Sequence, residues 1–302
     1  MPLDPQAAHY LRQQVELSVP PPSELTPTEA RRLMEDGAAA SWGELEPIAH
    51  VQTRVISAVP VRIYSPRAGK PAAVLLWMHG GGWVCGSLGT HEGLCRNLAN
   101  RTGLHVVSIG YRLAPENPFP AAVEDCWAIL RWATRQAPAV VVAGDSAGGN
   151  LAAVLALKAR DAGLEVAAQL LIYPVIAHDL TTPSYQANAE GYGLTRESMR
   201  WYWDHYLNGV EGAESDASPL RAGSLAGVAP ALVTVCEYDV LHDEGHAYAK
   251  RLQEAGVPVQ LSDQWGMIHG FLRMHAILDR SETALAECAR FLAQRLDTSP
   301  AG

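Results

Sequence analysis

From residue 73 onward the chain alternates short, nearly all-apolar runs with windows of helical periodicity, and this alternation narrows the fold more than any other feature. The runs are Ala73–Met78, His105–Tyr111, Ala139–Ala143, Ala168–Tyr173, Ala231–Cys236 and Val257–Leu261. Strands apolar on both faces must be covered on both, as in a parallel sheet wrapped by helices. Helical patterns at Phe119–Gln136, Ala147–Arg160, Leu241–Ala255 and Thr283–Leu296 supply that cover. Two further strand candidates, Ile48–Ser57 and Val61–Tyr64, come first. The expected class is therefore α/β, with an eight-stranded, mostly parallel sheet flanked by helices. At 302 residues, 48% apolar and 18% charged, the chain can bury one large core.

Two segments do not fit the alternation. Residues 1–40 read as amphipathic helix interrupted at Pro20-Pro21-Pro22, with Leu11, Val15, Leu33 and Met34 among polar helix formers. The connection from 174 to 230 is far longer than a strand-to-strand link needs. Inside it, Thr195 is placed as an N-cap, with Leu194 and Met199 as a hydrophobic staple. The helix that follows, Arg196–Leu207, carries Trp201, Tyr202, Trp203 and Tyr206. Together the two segments are candidate lid material, although the same rings could simply bury the insertion against the body.

The net charge of −9, with no run of Lys or Arg, argues against nucleic acid and anionic membranes as partners. No apolar stretch reaches bilayer length, so no stable membrane association is expected. The first ten residues show neither the basic nor the apolar region of a signal peptide. Five cysteines without a C-x-x-C pair make neither a disulfide framework nor a zinc ribbon. The expectation is a cytoplasmic protein with reduced thiols. A homodimer remains open.

The chemistry centres on Gly144-Asp145-Ser146-Ala147-Gly148-Gly149-Asn150, directly after an apolar run and directly before a helical one. G-x-S-x-G between strand and helix is a nucleophile elbow, a strained turn that projects the serine hydroxyl. Upstream stands His79-Gly80-Gly81-Gly82-Trp83, again at a strand's end. Acyl transfer passes through an oxyanion that needs preorganised N–H donors, and a glycine loop lets amides converge on it. A phosphate loop would need Gly-Lys where this chain has Gly86-Ser87.

A serine nucleophile needs a base and an orienting acid. In the order serine, acid, histidine, the acid leaves a late strand and the histidine a later loop. Asp239 and His269 stand at those places, with Glu237 and Asp243 as rival acids. His79 is read as structural, and His275 as lying on the helix beyond the loop. His242 and His246, four apart, could face one metal. They lack H-E-x-x-H spacing and an evident third ligand, so no metal and no cofactor is expected. Cys85, near the glycine loop, is read as a small buried apolar residue rather than a redox-sensitive thiol.

Taken together, HGGGW at 79–83, YRLAPE at 111–116 with FPAA at 119–122, GDSAGGN at 144–150, YDVL at 238–241 and HGF at 269–271 resemble the hormone-sensitive-lipase-like, bacterial family IV carboxylesterases of the α/β-hydrolase superfamily. The resemblance spans 79 to 271 in the expected order. It implies an α/β-hydrolase fold with a helical cap, a triad of Ser146, Asp239 and His269, and an oxyanion hole from the amides of Gly81, Gly82 and Ala147. It implies cap segments at 1–45 and 179–217 on a catalytic domain of 46–178 and 218–302. Arginine is common in that family where this chain has His242.

The implied partner is a small-molecule ester with an acyl chain of about four to six carbons, a length taken from the resemblance. Trp83, Met34, Trp42, Tyr192, Trp201 and Tyr202 are the expected pocket side chains, with the rings closing one end. Two other readings stay open. One is an amide or carbamate hydrolase with the same triad. The other is a small-molecule receptor on the same fold, like the plant gibberellin receptors, against which the retained His269 weighs.

Overall fold

A computed structural model describes residues 1–212 and 214–296. Position 213 in the second expected cap segment, and 297–302 at the end of the expected catalytic domain, lie outside the described residues.

Eight strands form one sheet: β1 (His50–Ile56), β2 (Val59–Ser65), β3 (Ala73–Met78), β4 (His105–Ile109), β5 (Ala139–Asp145), β6 (Ala168–Ile172), β7 (Ala231–Tyr238) and β8 (Val259–Ile268). Their spatial order is β1-β2-β4-β3-β5-β6-β7-β8. β2 runs antiparallel to both neighbours, and every pair from β4 to β8 is parallel. The helices are α1 (Pro5–Glu16), α2 (Pro27–Trp42), α3 (Glu92–Thr102), α4 (Ala121–Ala133), α5 (Ala147–Asp161), α6 (Pro183–Ala187), α7 (Arg196–Leu207), α8 (His242–Glu254) and α9 (Arg280–Arg295).

The apolar core lies in two layers, one on each face of the sheet. Val74, Leu76 and Met78 of β3 belong to one layer and Ala73, Leu75 and Trp77 to the other. That is the two-residue period of a strand buried on both sides. The expected eight strands are all present; most ends shift by one or two residues, and one shifts far more. β8 runs to Ile268 rather than stopping at Leu261, because it is an edge strand. Its polar Ser262 and Gln264 are satisfied by Glu287 of α9 and by each other, so the apolar run ends long before the strand does. Helix α3 has no counterpart among the expected elements; its buried Leu94, Cys95, Leu98 and Ala99 fall at helical spacing but among charged residues and asparagines. His275 sits in a turn before α9, not on a helix.

The N-terminal helices have defined starts and are tied to the body. Asp4 caps α1, and Thr26 and Glu29 close a capping box on α2. The Asp4 amide donates to the Gly266 carbonyl at 3.0 Å, and the N-terminal amine contacts Glu237. Arg31 of α2 reaches the carbonyls of Val84 (2.8 Å) and Ala114 (2.7 Å) and the carboxylate of Glu116. Thr195 caps α7, and the Phe119 amide donates to the Tyr206 carbonyl at 2.7 Å.

The exposed Glu116 makes the ionic part of the Arg31 cluster weak, whereas two carbonyls on buried residues lose their donor if Arg31 goes. Arg31→Ala should therefore cost about 1–3 kcal/mol, seen as a lower denaturant midpoint, and should speed protease cleavage between α1 and α2. Unchanged midpoint and cleavage would mean that α2 is held by apolar packing alone.

Candidate active site

Ser146 occupies the turn between β5 and α5 with φ +56° and ψ −120°, a conformation that a residue with a side chain avoids. Such strain costs of the order of 1–3 kcal/mol and persists only where the surroundings impose it. They do so here. The Ser146 amide donates to the Ile172 carbonyl at 2.9 Å, and its carbonyl accepts from Val175 at 3.2 Å. A Cβ on Gly148 would be driven into the carbonyl of Met78, so only glycine lets α5 start this close to β3.

The loops after β7 and β8 bring two more groups to the serine. Ser146 Oγ lies 2.9 Å from His269 Nε2, and His269 Nδ1 lies 2.7 Å from Asp239 Oδ2. A carboxylate can only accept, so the pairing places the imidazole proton on Nδ1 and leaves Nε2 to accept from serine. Asp239 Oδ1 accepts from the Leu241 amide at 3.0 Å, and Asn188 donates to the Asp239 carbonyl at 3.0 Å. The Asp239 side chain is 1% exposed and that of His269 13%. The rival acids are engaged elsewhere: Glu237 with the Gly266 amide and the N-terminal amine, Asp243 with the Ser184 amide and His242.

The glycine loop after β3 adopts φ +116° at Gly81 and +59° at Gly82. The Gly81 carbonyl accepts from the amides of Val84 and Cys85, fixing the loop's turn. The amides of Gly81, Gly82 and Ala147 have no acceptor among the described residues.

A buried polar assembly supports this loop. Asp145 Oδ1 accepts the Gly80 amide at 2.9 Å, and His91 Nε2 lies 3.2 Å from the same oxygen. Burial opposes ionisation of Asp145, but His91, Arg273 and the Gly80 amide hold its pKa below the ordinary carboxylate value. His79 Nδ1 donates to the Gly80 carbonyl at 2.9 Å, its ring stacks on Tyr111 at 4.2 Å, and the Tyr111 hydroxyl donates to the His79 carbonyl at 2.7 Å. Burial, then the neighbouring His91, push the His79 pKa down to about 3. The structural reading of His79 agrees with this geometry. Asp145 and Tyr111 stood inside recognisable motifs, but nothing in the sequence marks His91 or Arg273 as site residues.

A cavity of about 790 Å³ opens onto Ser146, His269, Gly81 and Gly82. Leu11, Val15, Leu33 and Met34 wall it from the N-terminal helices, and Leu194, Met199 and Tyr202 from the insertion. A smaller hollow of about 390 Å³ near Pro60, Arg62 and Leu113 reaches none of the three catalytic candidates. Of the six expected pocket side chains, Met34 and Tyr202 stand on the main wall, and Tyr202 lies directly over Gly82. The other four do not. Trp83 is fully buried and stacks face to face on Tyr206 at 4.1 Å, behind the glycine loop. Trp42 packs on Gly93 at the start of α3, Tyr192 on Tyr238 at 4.8 Å, and Trp201 edge-on to Tyr202 and His205. Cys85 is 1% exposed, and burial pushes its thiol up to about 12, which makes it unreactive.

Sheet order, elbow and cavity are those of an α/β hydrolase, and comparison with known proteins agrees. A family model described as alpha/beta hydrolase fold matches residues 75–273. An ethyl acetate hydrolase of Pseudomonas putida is 39% identical over 98% of this chain and 100% of its own length. A carboxylesterase of Mycobacterium tuberculosis is 37% identical over 80% of this chain and 81% of its own. The crystal structure of a thermostable esterase from Pseudomonas putida superposes with a TM-score of 0.92 at 33% identity, covering 98% of each chain. The chain belongs to the alpha/beta hydrolase fold family.

Because His79 is held neutral in the fold, the unfolded chain binds a proton that the folded one refuses between the ordinary histidine value of 6.5 and about 3. Its contribution to stability is complete above pH 6.5 and is lost progressively as pH falls through that window. The melting temperature should therefore drop steadily below about pH 6.5, and less steeply in His79→Asn. A melting temperature level from about pH 6.5 to 4 would contradict a buried neutral imidazole.

Proposed function

We propose that this enzyme, a carboxylesterase, hydrolyses soluble esters with short acyl chains through an acyl-enzyme on Ser146. The observation that carries the reading is the connected set Ser146–His269–Asp239, with hydrogen bonds of 2.9 and 2.7 Å, whose serine and histidine line a mostly apolar cavity. His269 takes the serine proton as Oγ attacks the ester carbonyl. Asp239 fixes the imidazole tautomer and stabilises the imidazolium. The oxyanion is received by the unpaired amides of Gly81, Gly82 and Ala147. The same imidazole then returns its proton to the leaving alcohol, and afterwards activates the water that releases the acid.

The finer placement in the hormone-sensitive-lipase-like group rests on the HGGGW and GDSAGG texts. Residues 1–45 and 179–217 act as the cap, which accounts for the cavity wall they share. The short acyl preference is supported by the Tyr202 ring over Gly82 and by the similarity to an ethyl acetate hydrolase. The aliphatic remainder of the cavity takes the bulkier part of the ester. Cytoplasmic placement is supported by five free, buried thiols, and no helix among the described residues is long and apolar enough to cross a membrane. Amide or carbamate hydrolysis is not favoured, since the similar proteins carry esterase names.

Ser146→Ala should lower kcat by about 10⁶, and Asp239→Asn by about 10⁴, with the fold retained by circular dichroism. A serine-directed phosphonate should add mass only to the peptide holding Ser146. Substantial esterase turnover by Ser146→Ala would remove the nucleophile assignment, and a crippled Asp243→Asn beside an active Asp239→Asn would move the acid.

If Tyr202 limits the acyl side, each methylene that enters the enlarged pocket adds up to about 0.8 kcal/mol, about fourfold in rate. Tyr202→Ala should thus shift the preferred acyl chain upward in a kcat/KM series of graded p-nitrophenyl esters. The same optimum in both proteins would place the acyl limit elsewhere.

A further inference from the structure

On the outer flank of the sheet, away from the cavity, two histidines and an aspartate converge. His242 and His246 are four residues apart on α8, so their side chains lie on one face. Their rings are 4.5 Å apart. Asp263 comes from the neighbouring strand β8, where it pairs in register with Val235 of β7, the residue on which Gly245 of α8 packs. Parallel partners in register share a face, so Asp263 projects to the side that α8 covers. His246 Nε2 stands 2.7 Å from Asp263 Oδ1. The sequence offered the two histidines without a third ligand. The fold supplies it from across the sheet edge.

We propose that His242, His246 and Asp263 form a binding site for one divalent transition-metal ion of the zinc class. One ligand atom from each residue falls within 4.8 Å of the other two. Zinc bonds to nitrogen and oxygen of about 2.0–2.2 Å place tetrahedral ligands about 3.3–3.6 Å apart, so small side-chain rotations complete the geometry. Two imidazoles and one carboxylate suit zinc, cobalt or nickel, not the all-oxygen preference of calcium or magnesium. His242, His246 and Asp263 are 24%, 35% and 27% exposed, which leaves water as the fourth ligand. Asp243 Oδ1 lies 3.1 Å from His242 Nδ1, the arrangement in which a carboxylate orients a metal-binding imidazole and leaves Nε2 to the ion.

The site would brace the start of α8 against β8. The His242 amide donates to the Asp239 carbonyl at 3.3 Å, so the brace sits one turn from the proposed triad acid. The ion has no part in the ester chemistry. Its effect is on stability, because an ion bound only by the folded chain raises the melting temperature.

The test uses the full chain, freed of metal by chelation and titrated with Zn²⁺ in a calorimeter, then with Co²⁺ by visible absorption. The expected result is one ion per chain, a tetrahedral cobalt spectrum and a higher melting temperature with zinc. His246→Gln and Asp263→Asn should each weaken binding at least about tenfold and abolish the thermal shift. The Asp263→Asn substitution keeps a hydrogen-bond partner for His246, so that variant folds while losing only the charge. His269→Gln should leave the stoichiometry at one. No binding at millimolar zinc, full affinity in Asp263→Asn, or loss of the ion in His269→Gln would each overturn the site.

Discussion

The strained turn at Ser146 is the constraint on which the rest of the molecule depends. A positive φ at a serine is unfavourable in isolation, so the backbone must be held from both sides. β6 supplies one hold through the Ile172 carbonyl, and the close approach of α5 to β3 at Gly148 supplies the other. Both depend on β3, β5 and β6 being adjacent and parallel. The crossover helices that such strands require place the following loops at the same sheet edge. For that reason Asp239 and His269, 93 and 123 residues beyond the serine, reach it without any local arrangement of their own.

The glycine loop solves a second problem with different means. The amides of Gly81 and Gly82 have no acceptor among the described residues, so the loop is fixed through its other atoms. Asp145 holds the Gly80 amide, His79 the Gly80 carbonyl, and Tyr111 the carbonyl of His79. Each of these groups is buried, and each would be costly without its partner. Behind them Trp83 and Tyr206 stack as an apolar backing. The loop amides, without acceptors among the described residues, are therefore positioned by polar bonds beneath and aromatic packing behind, with Tyr202 as the ring that lies over Gly82 from the insertion.

Legibility followed physical locality. β3 to β7 are visible in the sequence because a strand buried on both faces leaves a nearly all-apolar run. β8 reads short because an edge strand satisfies Ser262 and Gln264 through α9 and need not be apolar. α3 escapes because its buried Leu94, Cys95, Leu98 and Ala99 are interleaved with Asn97, Asn100 and two arginines, whose polar groups are satisfied by Glu46, Glu92 and one another. The residues of the serine–histidine–aspartate set are legible because motif and chain order restrict them. His91 is not, since its role arises only where the segment before α3 folds under Asp145, and no local pattern encodes that meeting.

The pocket is the least legible part, and the reason lies in what rings and chains each do well. An aromatic side chain buries a large area with few rotatable bonds, so it is most effective locked in the core of the insertion. Trp83, Trp203 and Tyr206 form such a buttress, and they hold α7 against the glycine loop. The cavity wall is left largely to aliphatic groups such as Leu11, Leu33, Met34, Leu194 and Met199, whose flexible side chains can repack around different shapes. Counting bulky groups in the insertion therefore identifies mostly what packs it against the body, not what lines the cavity. Tyr202 of the insertion does line the cavity, because α7 turns its ring over Gly82 while Trp203, one residue on, faces the buttress. Successive positions on a helix point about 100° apart, so α7 both packs the insertion against the body and presents one ring to Gly82 and the cavity.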